Sequence, residues 1–271
     1  MSIAPSEWLN EETLLYTRLE RLYAALNRRE YVSPDPLQFL YGYPEPADRE
    51  VAGLVSSSLA FGNVKQILRS VGAVLDRMPQ PARFLRDSTQ ARLAETFDGF
   101  RHRFVTGDDL AGMLFGVKEA VEAYGSLERC FASKVLPGQD TVIPALSAFV
   151  DALRGEGGPN YLLPDPARGS ACKRLHLYLR WMVREDDVDP GGWTSVSPAQ
   201  LVVPLDTHMH RIARALGLTA RASGDIRTAM EVTAAFRALA PADPVRYDFA
   251  LTRLGIRNDT NACDFFPDCG L

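Results

Sequence analysis

Val203-Pro204-Leu205-Asp206-Thr207-His208 is the stretch from which the fold of this chain is best predicted. Proline followed by aspartate and threonine is typical of the start of a helix, with Asp206 as the N-cap residue. Lys173 lies upstream, near the start of the preceding amphipathic helix, beyond a connection that contains Gly, Ser and Pro. An amine and a carboxylate at the starts of two successive helices can meet across a cleft. Such a pair suits chemistry at the anomeric carbon of a nucleoside, where an amine attacks and an anion stabilises positive charge.

Each member of this pair also has an ordinary explanation. Most lysines on helices are solvated surface residues, and most aspartates before a helix only cap it. The two roles of Asp206 are compatible, because a capping carboxylate is held in place and can still face a ligand. Ser170 is a plausible N-cap for the helix that carries Lys173.

Helical periodicity runs along the whole chain and predicts an all-α fold. The first amphipathic helix is marked by Leu15, Leu19, Leu22, Tyr23 and Leu26. Similar patterns predict helices at about 48–60, 64–75, 110–123, 127–135, 141–153, 170–184, 207–216, 225–239 and 244–254. Few segments alternate between apolar and polar residues, so strands should be scarce.

Composition is that of a protein with a substantial core. The chain has 271 residues, of which 46% are apolar, enough for one large domain or two lobes. We expect one compact unit over residues 1–271, with a possible lobe boundary in the Gly- and Pro-rich loop from Gly155 to Gly169. The amino terminus does not resemble a signal peptide and no apolar run is long enough to span a bilayer. A cytoplasmic protein without membrane contact is therefore expected.

Cysteines and histidines do not predict a metal site or a disulfide framework. The four cysteines, at 130, 172, 263 and 269, are unevenly spaced and are expected to be free thiols. His208 and His210 are two residues apart, and on a helix such residues point about 200° apart. We therefore expect no metal and no cofactor.

Net charge is −4, which does not by itself favour a nucleic-acid partner. A local basic stretch from Arg168 to Arg184 nevertheless contains five basic residues and no acid. A basic face could be extended by Lys65, Arg69, Arg211, Arg214 and Arg221. The alternative is that these side chains are only solvated surface.

The segment around Asp206, continuing through Arg211 and Ile212, resembles the Val-Asp-Thr-His segment of helix-hairpin-helix DNA glycosylases of the endonuclease III superfamily. The resemblance implies a two-lobed helical fold with a central cleft, a catalytic Asp206, and Lys173 as the nucleophile of a bifunctional enzyme. The spacing is most similar to the archaeal 8-oxoguanine glycosylase branch. The block from Gly169 to Ile256 also resembles an uncharacterised bacterial family placed in the same superfamily, so the catalytic block is expected at about 160–258.

This resemblance also implies a function and a set of contacts. It implies a DNA base-excision glycosylase with AP-lyase activity and with 8-oxoguanine as the leading substrate. The ligand would be damaged duplex DNA or a flipped base, and the protein would be a monomer. Base binding is expected from Asp248, Trp193 and Phe249. DNA contacts are expected from Arg168, Ser170, Arg174, His208, Arg211 and Asn63. The usual Leu-Pro-Gly-Val-Gly hairpin is replaced here by the segment from Leu163 to Ser170, and the four-cysteine cluster of endonuclease III is absent.

Two other functions stay open. An enzyme with the same fold could modify a DNA base without excising it. A non-catalytic module that binds nucleic acid or protein would use Asp206 only as a cap and Lys173 only as a surface residue.

Overall fold

The computed structural model describes residues 5–154, 161–256 and 261–267 of the chain. These residues are predominantly helical, which confirms the all-α prediction. The first helices are α1 (Pro5–Leu26), α2 (Pro46–Ser58), α3 (Val64–Leu75), α4 (Pro81–Arg86), α5 (Gln90–Thr96), α6 (Gly107–Tyr124) and α7 (Leu127–Ala132). They are followed by α8 (Ile143–Arg154), α9 (Lys173–Val183), α10 (Thr207–Ala215), α11 (Ile226–Leu239) and α12 (Asp248–Ile256).

Between α5 and α6 the chain forms a small antiparallel hairpin. Strand β1 (Arg101–His102) pairs with strand β2 (Val105–Thr106). Periodicity did not predict this hairpin, because strands of two residues are too short to show an alternation. The short helices α4 and α5 were not predicted either. Among the described residues no helix is both long and apolar enough to cross a bilayer. Residues 155–160 of the expected lobe boundary, and Cys269, lie outside the described residues.

Helix α9 begins three residues later than the sequence pattern predicts. Cys172 adopts a left-handed backbone conformation, with φ 43° and ψ 39°, so the helix starts only at Lys173. The Ser170 hydroxyl accepts a hydrogen bond from the Cys172 N–H at 3.3 Å and does not cap the helix. The expectation that Ser170 is the N-cap is therefore wrong. The altered hairpin before it contains a 3-10 turn, Pro166–Arg168, in which Asp165 accepts from the Ala167 N–H.

Helices α2 and α9 pack closely against each other in the core. Gly53 of α2 makes this approach possible, because a Cβ atom there would lie 3.3 Å from both the Met182 sulfur and the Tyr178 ring. Tyr178, Trp181 and Met182 of α9 are fully buried. This packing fixes the helix that carries Lys173.

Arg180 and Arg184 of α9 are buried in a network of ion pairs instead of lying on a basic surface. Arg180 pairs with Asp189 and Asp248, and Arg184 with Asp186, Asp189 and Asp243. The two arginines, Asp189 and Asp248 stay in the interior because each has a partner of opposite sign. The basic face predicted from Arg168 to Arg184 is therefore wrong for its last two arginines.

Helix α1 supports α12 from the outside. Leu19 and Leu22 of α1 are fully buried, and Glu20 accepts hydrogen bonds from Arg246 and Tyr247, just before α12. The Arg246 guanidinium also lies 4.4 Å from the centre of the Tyr23 ring. These contacts hold the start of α12, where Asp248 lies.

Candidate active site

The Lys173 amine and the Asp206 carboxylate meet, as the sequence predicts. Lys173 Nζ lies 2.7 Å from Asp206 Oδ2, and the two side chains are 34% and 30% exposed. Lys173 is the first residue of α9 and Asp206 is the N-cap of α10. Asp206 Oδ1 accepts a hydrogen bond from the Met209 N–H at 2.8 Å. One oxygen therefore caps the helix while the other holds the amine, and both groups stay within reach of a ligand.

Asp206 is stabilised as an anion. Burial alone would raise the pKa of its carboxyl, but the positive charge of Lys173 and hydrogen bonds from Lys173 and Met209 outweigh that effect. The net result is a pKa below the ordinary value for aspartate. At neutral pH the carboxylate is therefore ionised and can stabilise positive charge.

A cavity of about 210 Å³ opens beside this pair. It is lined by residues from the 34–36 segment, from helices α9 and α12 and from the N-cap of α10, including Asp35, Lys173, Arg180, Asp206, Asp248, Phe249 and Arg253. The ring of Phe249 lies 4.4 Å from the Arg253 guanidinium. The cavity thus combines an aromatic wall with charged groups that are already paired.

Asp248 lines this cavity and carries an acceptor without a partner among the described residues. Its side chain is 2% exposed, and its Oδ2 atom accepts from Arg180. Its Oδ1 atom is buried and has no hydrogen-bond partner among the described residues. A buried carboxylate oxygen without a partner is costly, and a ligand N–H in the cavity would relieve that cost.

Burial raises the pKa of Asp248 to about 6. The nearby Arg180 opposes this shift, while the negative charge of Asp206 adds to it. Two carboxylates with pKa values displaced in opposite directions therefore line one cavity.

An open groove lies on the other side of Lys173. Lys173 and Ala60 line both the groove and the cavity, so the two spaces meet at the amine. The groove is also lined by Phe61, Arg154, Tyr161, Asp165, Arg168, Ser170 and Arg174. Four of its lining residues are cationic, which makes it the more basic of the two spaces.

Among the predicted DNA contacts, Arg168, Ser170 and Arg174 lie in this groove. Arg168 and Ser170 are exposed, whereas Arg174 is held by the Ser58 and Tyr161 carbonyl oxygens at 2.6 and 2.7 Å. The other three line neither the groove nor the cavity: Asn63, His208 and Arg211. The structure therefore gathers half of the predicted DNA-binding set beside Lys173.

The prediction that Trp193 contributes to base binding requires a correction. It is 3% exposed, and its indole N–H donates to Glu50 at 2.8 Å. Its ring packs against Phe131 and Tyr178, at 5.6 and 5.4 Å between ring centres, and does not line the cavity. Since the indole is fixed in the core, it cannot stack on a base in the cavity, and Phe249 alone stays a candidate for that role.

Sequence reasoning missed Asp35 and Arg253, which close the far wall of the cavity. Arg253 Nη2 lies 3.0 Å from Asp35 Oδ2. The two residues are 218 positions apart, and neither belongs to a recognisable motif, so no sequence signal could have joined them. Their ion pair links the N-terminal segment to α12.

No cluster of three or more His, Cys, Asp or Glu residues suited to a metal ion is found within the described parts of the chain. His210 Nε2 lies 2.9 Å from the Arg221 carbonyl oxygen, while His208 Nε2 is buried and without a partner among those residues. The two histidines are therefore not used together.

A comparison with protein families gives one match. The model of the family described as "Protein of unknown function (DUF2400)" matches residues 35–257, a range that includes Lys173, Asp206 and Asp248. No curated protein and no solved structure matches the chain.

Proposed function

This chain belongs to the DUF2400 family, and we propose that it is a DNA base-excision glycosylase with AP-lyase activity and a two-lobed helix-hairpin-helix glycosylase fold. The observation that carries the proposal is the contact of 2.7 Å between Lys173 Nζ and Asp206 Oδ2 at the edge of a cavity. An amine beside a fixed carboxylate is the arrangement that covalent catalysis at a sugar carbon requires. The leading substrate is 8-oxoguanine.

The first chemical step uses both members of the pair. A damaged nucleotide leaves the duplex and its base enters the cavity. Asp206 accepts a proton from Lys173, and the neutral amine attacks C1′ of the sugar. The N-glycosidic bond breaks, and the base leaves with the bonding electrons and takes up a proton. The Asp206 carboxylate stabilises the positive charge that develops on the sugar during this exchange.

The second step cleaves the strand. The sugar ring opens as the nitrogen of Lys173 forms a Schiff base with C1′. Loss of a proton from C2′ then expels the phosphate at C3′. Water hydrolyses the imine and returns the free lysine.

Asp248 and Phe249 would select the base. The Oδ1 atom of Asp248 is an acceptor without a partner, and the N7–H of 8-oxoguanine is a donor that guanine lacks. Phe249 provides an aromatic face in the same cavity. A base that satisfies Asp248 is favoured over one that leaves it unpaired, since an unmet buried acceptor is costly.

Borohydride trapping tests the assignment of Lys173. The protein is incubated with duplex and single-stranded oligonucleotides that carry 8-oxoguanine, uracil, an oxidised pyrimidine or an abasic site. We expect a covalent adduct with wild type and none with Lys173→Ala. Lys134→Ala is the matched control, because Lys134 lines neither the cavity nor the groove. Full trapping by Lys173→Ala would overturn the assignment.

Asp206→Asn completes this test. Asparagine keeps a side-chain oxygen for the Met209 N–H but loses the negative charge. We expect base release to fall by about 100-fold or more while the protein stays folded.

Chemical change of the base without its release would favour the base-modifying alternative. If neither base release nor base modification occurs on any substrate, the binding-module alternative is favoured.

A further inference from the structure

Three aromatic side chains form a cluster at the edge of the groove, and two of them are exposed. Phe104, at the turn of the β hairpin, is 52% exposed, and Tyr161 is 50% exposed. Their ring centres are 4.1 Å apart, and Phe61 lies 5.6 Å from Phe104 and 5.4 Å from Tyr161. Large aromatic rings exposed side by side on a folded protein commonly mark an interaction site. We call Phe61, Phe104 and Tyr161 the aromatic platform.

Phe61 and Tyr161 are held in place by neighbouring side chains. His102 makes hydrogen-bond contacts with the Phe61 carbonyl oxygen at 3.0 Å and with the Ser70 hydroxyl at 2.9 Å. The Arg174 guanidinium lies 4.8 Å from the centres of both the Phe61 and the Tyr161 rings. Rings fixed in this way lose little conformational freedom when a ligand stacks on them.

The charge around the platform fits a polyanion. Phe61 and Tyr161 line the same groove as Arg154, Arg168 and Lys173. The acid that also lines it, Asp165, is engaged with the Ala167 N–H at 2.9 Å. Aromatic faces interleaved with basic side chains are the arrangement by which proteins bind unpaired nucleic-acid bases.

We propose that the aromatic platform stacks an unpaired DNA base, separate from the base that enters the cavity. Because the groove and the cavity meet at Lys173, a strand whose nucleotide occupies the cavity passes directly beside the platform. A base that has lost its neighbour or its partner can then stack on Phe104 and Tyr161. The inference rests on the proposed function only in taking DNA as the ligand, and it involves no chemistry at Lys173.

Binding of undamaged DNA tests the platform without catalysis. The probes are a fluorescein-labelled duplex and the same duplex with a single unpaired thymine, titrated with protein and followed by fluorescence anisotropy at fixed salt. Wild type is expected to bind the second probe more tightly. Phe104→Leu keeps an apolar side chain but removes the ring, and it should weaken that binding about tenfold, the loss of one base–aromatic stack.

Two further variants define the interaction. Phe104→Trp should preserve the preference for the unpaired base, because it keeps an aromatic face. Tyr124→Ala removes another exposed aromatic ring, one that lines neither the groove nor the cavity, and should change nothing. Since Phe104 is half exposed on a hairpin turn, its replacement leaves the core unchanged.

The outcomes separate this inference from the proposed function. Equal affinity of wild type and Phe104→Leu for the unpaired probe would overturn the platform, whatever the result of trapping. A platform-dependent preference in a protein that never forms a borohydride adduct would support the platform and contradict the glycosylase. A tenfold loss that Phe104→Trp shares with Phe104→Leu would also overturn stacking, because the ring would then not be the cause.

Discussion

Asp248 is an ionisable residue in a buried position, where the charged form is disfavoured. Burial raises the pKa of its carboxyl to about 6, compared with the ordinary value of 3.8. Between these two values the folded protein binds a proton that the unfolded chain does not. Stability therefore falls as the pH rises from about 4 to about 6, and the loss is complete above the folded pKa. A strongly shifted carboxyl that lines a cavity is a candidate functional residue.

We predict that Asp248→Asn removes this pH dependence. The variant cannot ionise at position 248, so its free energy of unfolding relative to wild type should increase between pH 4 and pH 6, by about 2 kcal/mol. Urea denaturation of both proteins at pH 4.5, 5.5 and 7 measures the difference, in which the other titrating groups cancel. A difference that stays constant with pH would show that the fold does not raise the pKa of Asp248.

Helix α9 illustrates which structural features can be predicted from sequence and which cannot. Its helical periodicity and the meeting of Lys173 with Asp206 could be predicted, because both depend on local patterns. The burial of Arg180 and Arg184 could not, since each has, besides a nearby aspartate, a distant partner: Asp248 and Asp243 lie 68 and 59 residues further along the chain. The β hairpin could not be predicted for a different reason, because its strands have too few residues to show a pattern.

Two glycines of α6 provide a matched test of helix packing. A Cβ atom at Gly116 would lie 1.7 Å from the Leu153 carbonyl oxygen of α8, whereas a Cβ atom at Gly112 would meet nothing within 4 Å. Gly116→Ala should therefore destabilise the fold by about 1–3 kcal/mol, because backbone must move. Gly112→Ala should stabilise it by about 0.5–1 kcal/mol through helix propensity. Urea denaturation compares the two, and equal effects would contradict the close approach of α6 and α8.

The candidate site is assembled from distant parts of the chain. Asp35 comes from the segment before α2, Lys173 from α9, Asp206 from the cap of α10, and Asp248 from α12. The family match begins at residue 35, whereas α1 lies before it and supports α12 through Glu20. The cavity therefore depends on α1 and on the segment before α2 as well as on the block around Asp206.

The overall charge of the molecule disfavours DNA binding, whereas the local charge of the groove favours it. The net charge is −4, so binding must depend on where the cations lie. Arg168 is exposed in the groove, whereas Arg83 is 70% exposed on α4 and lines neither the groove nor the cavity. Alanine at either position removes one positive charge, but only Arg168→Ala should weaken DNA binding and reduce the slope of log affinity against log salt by about 1. Anisotropy titrations over a range of salt concentrations measure that slope, and an equal change in both variants would show that net charge, not the groove, governs binding.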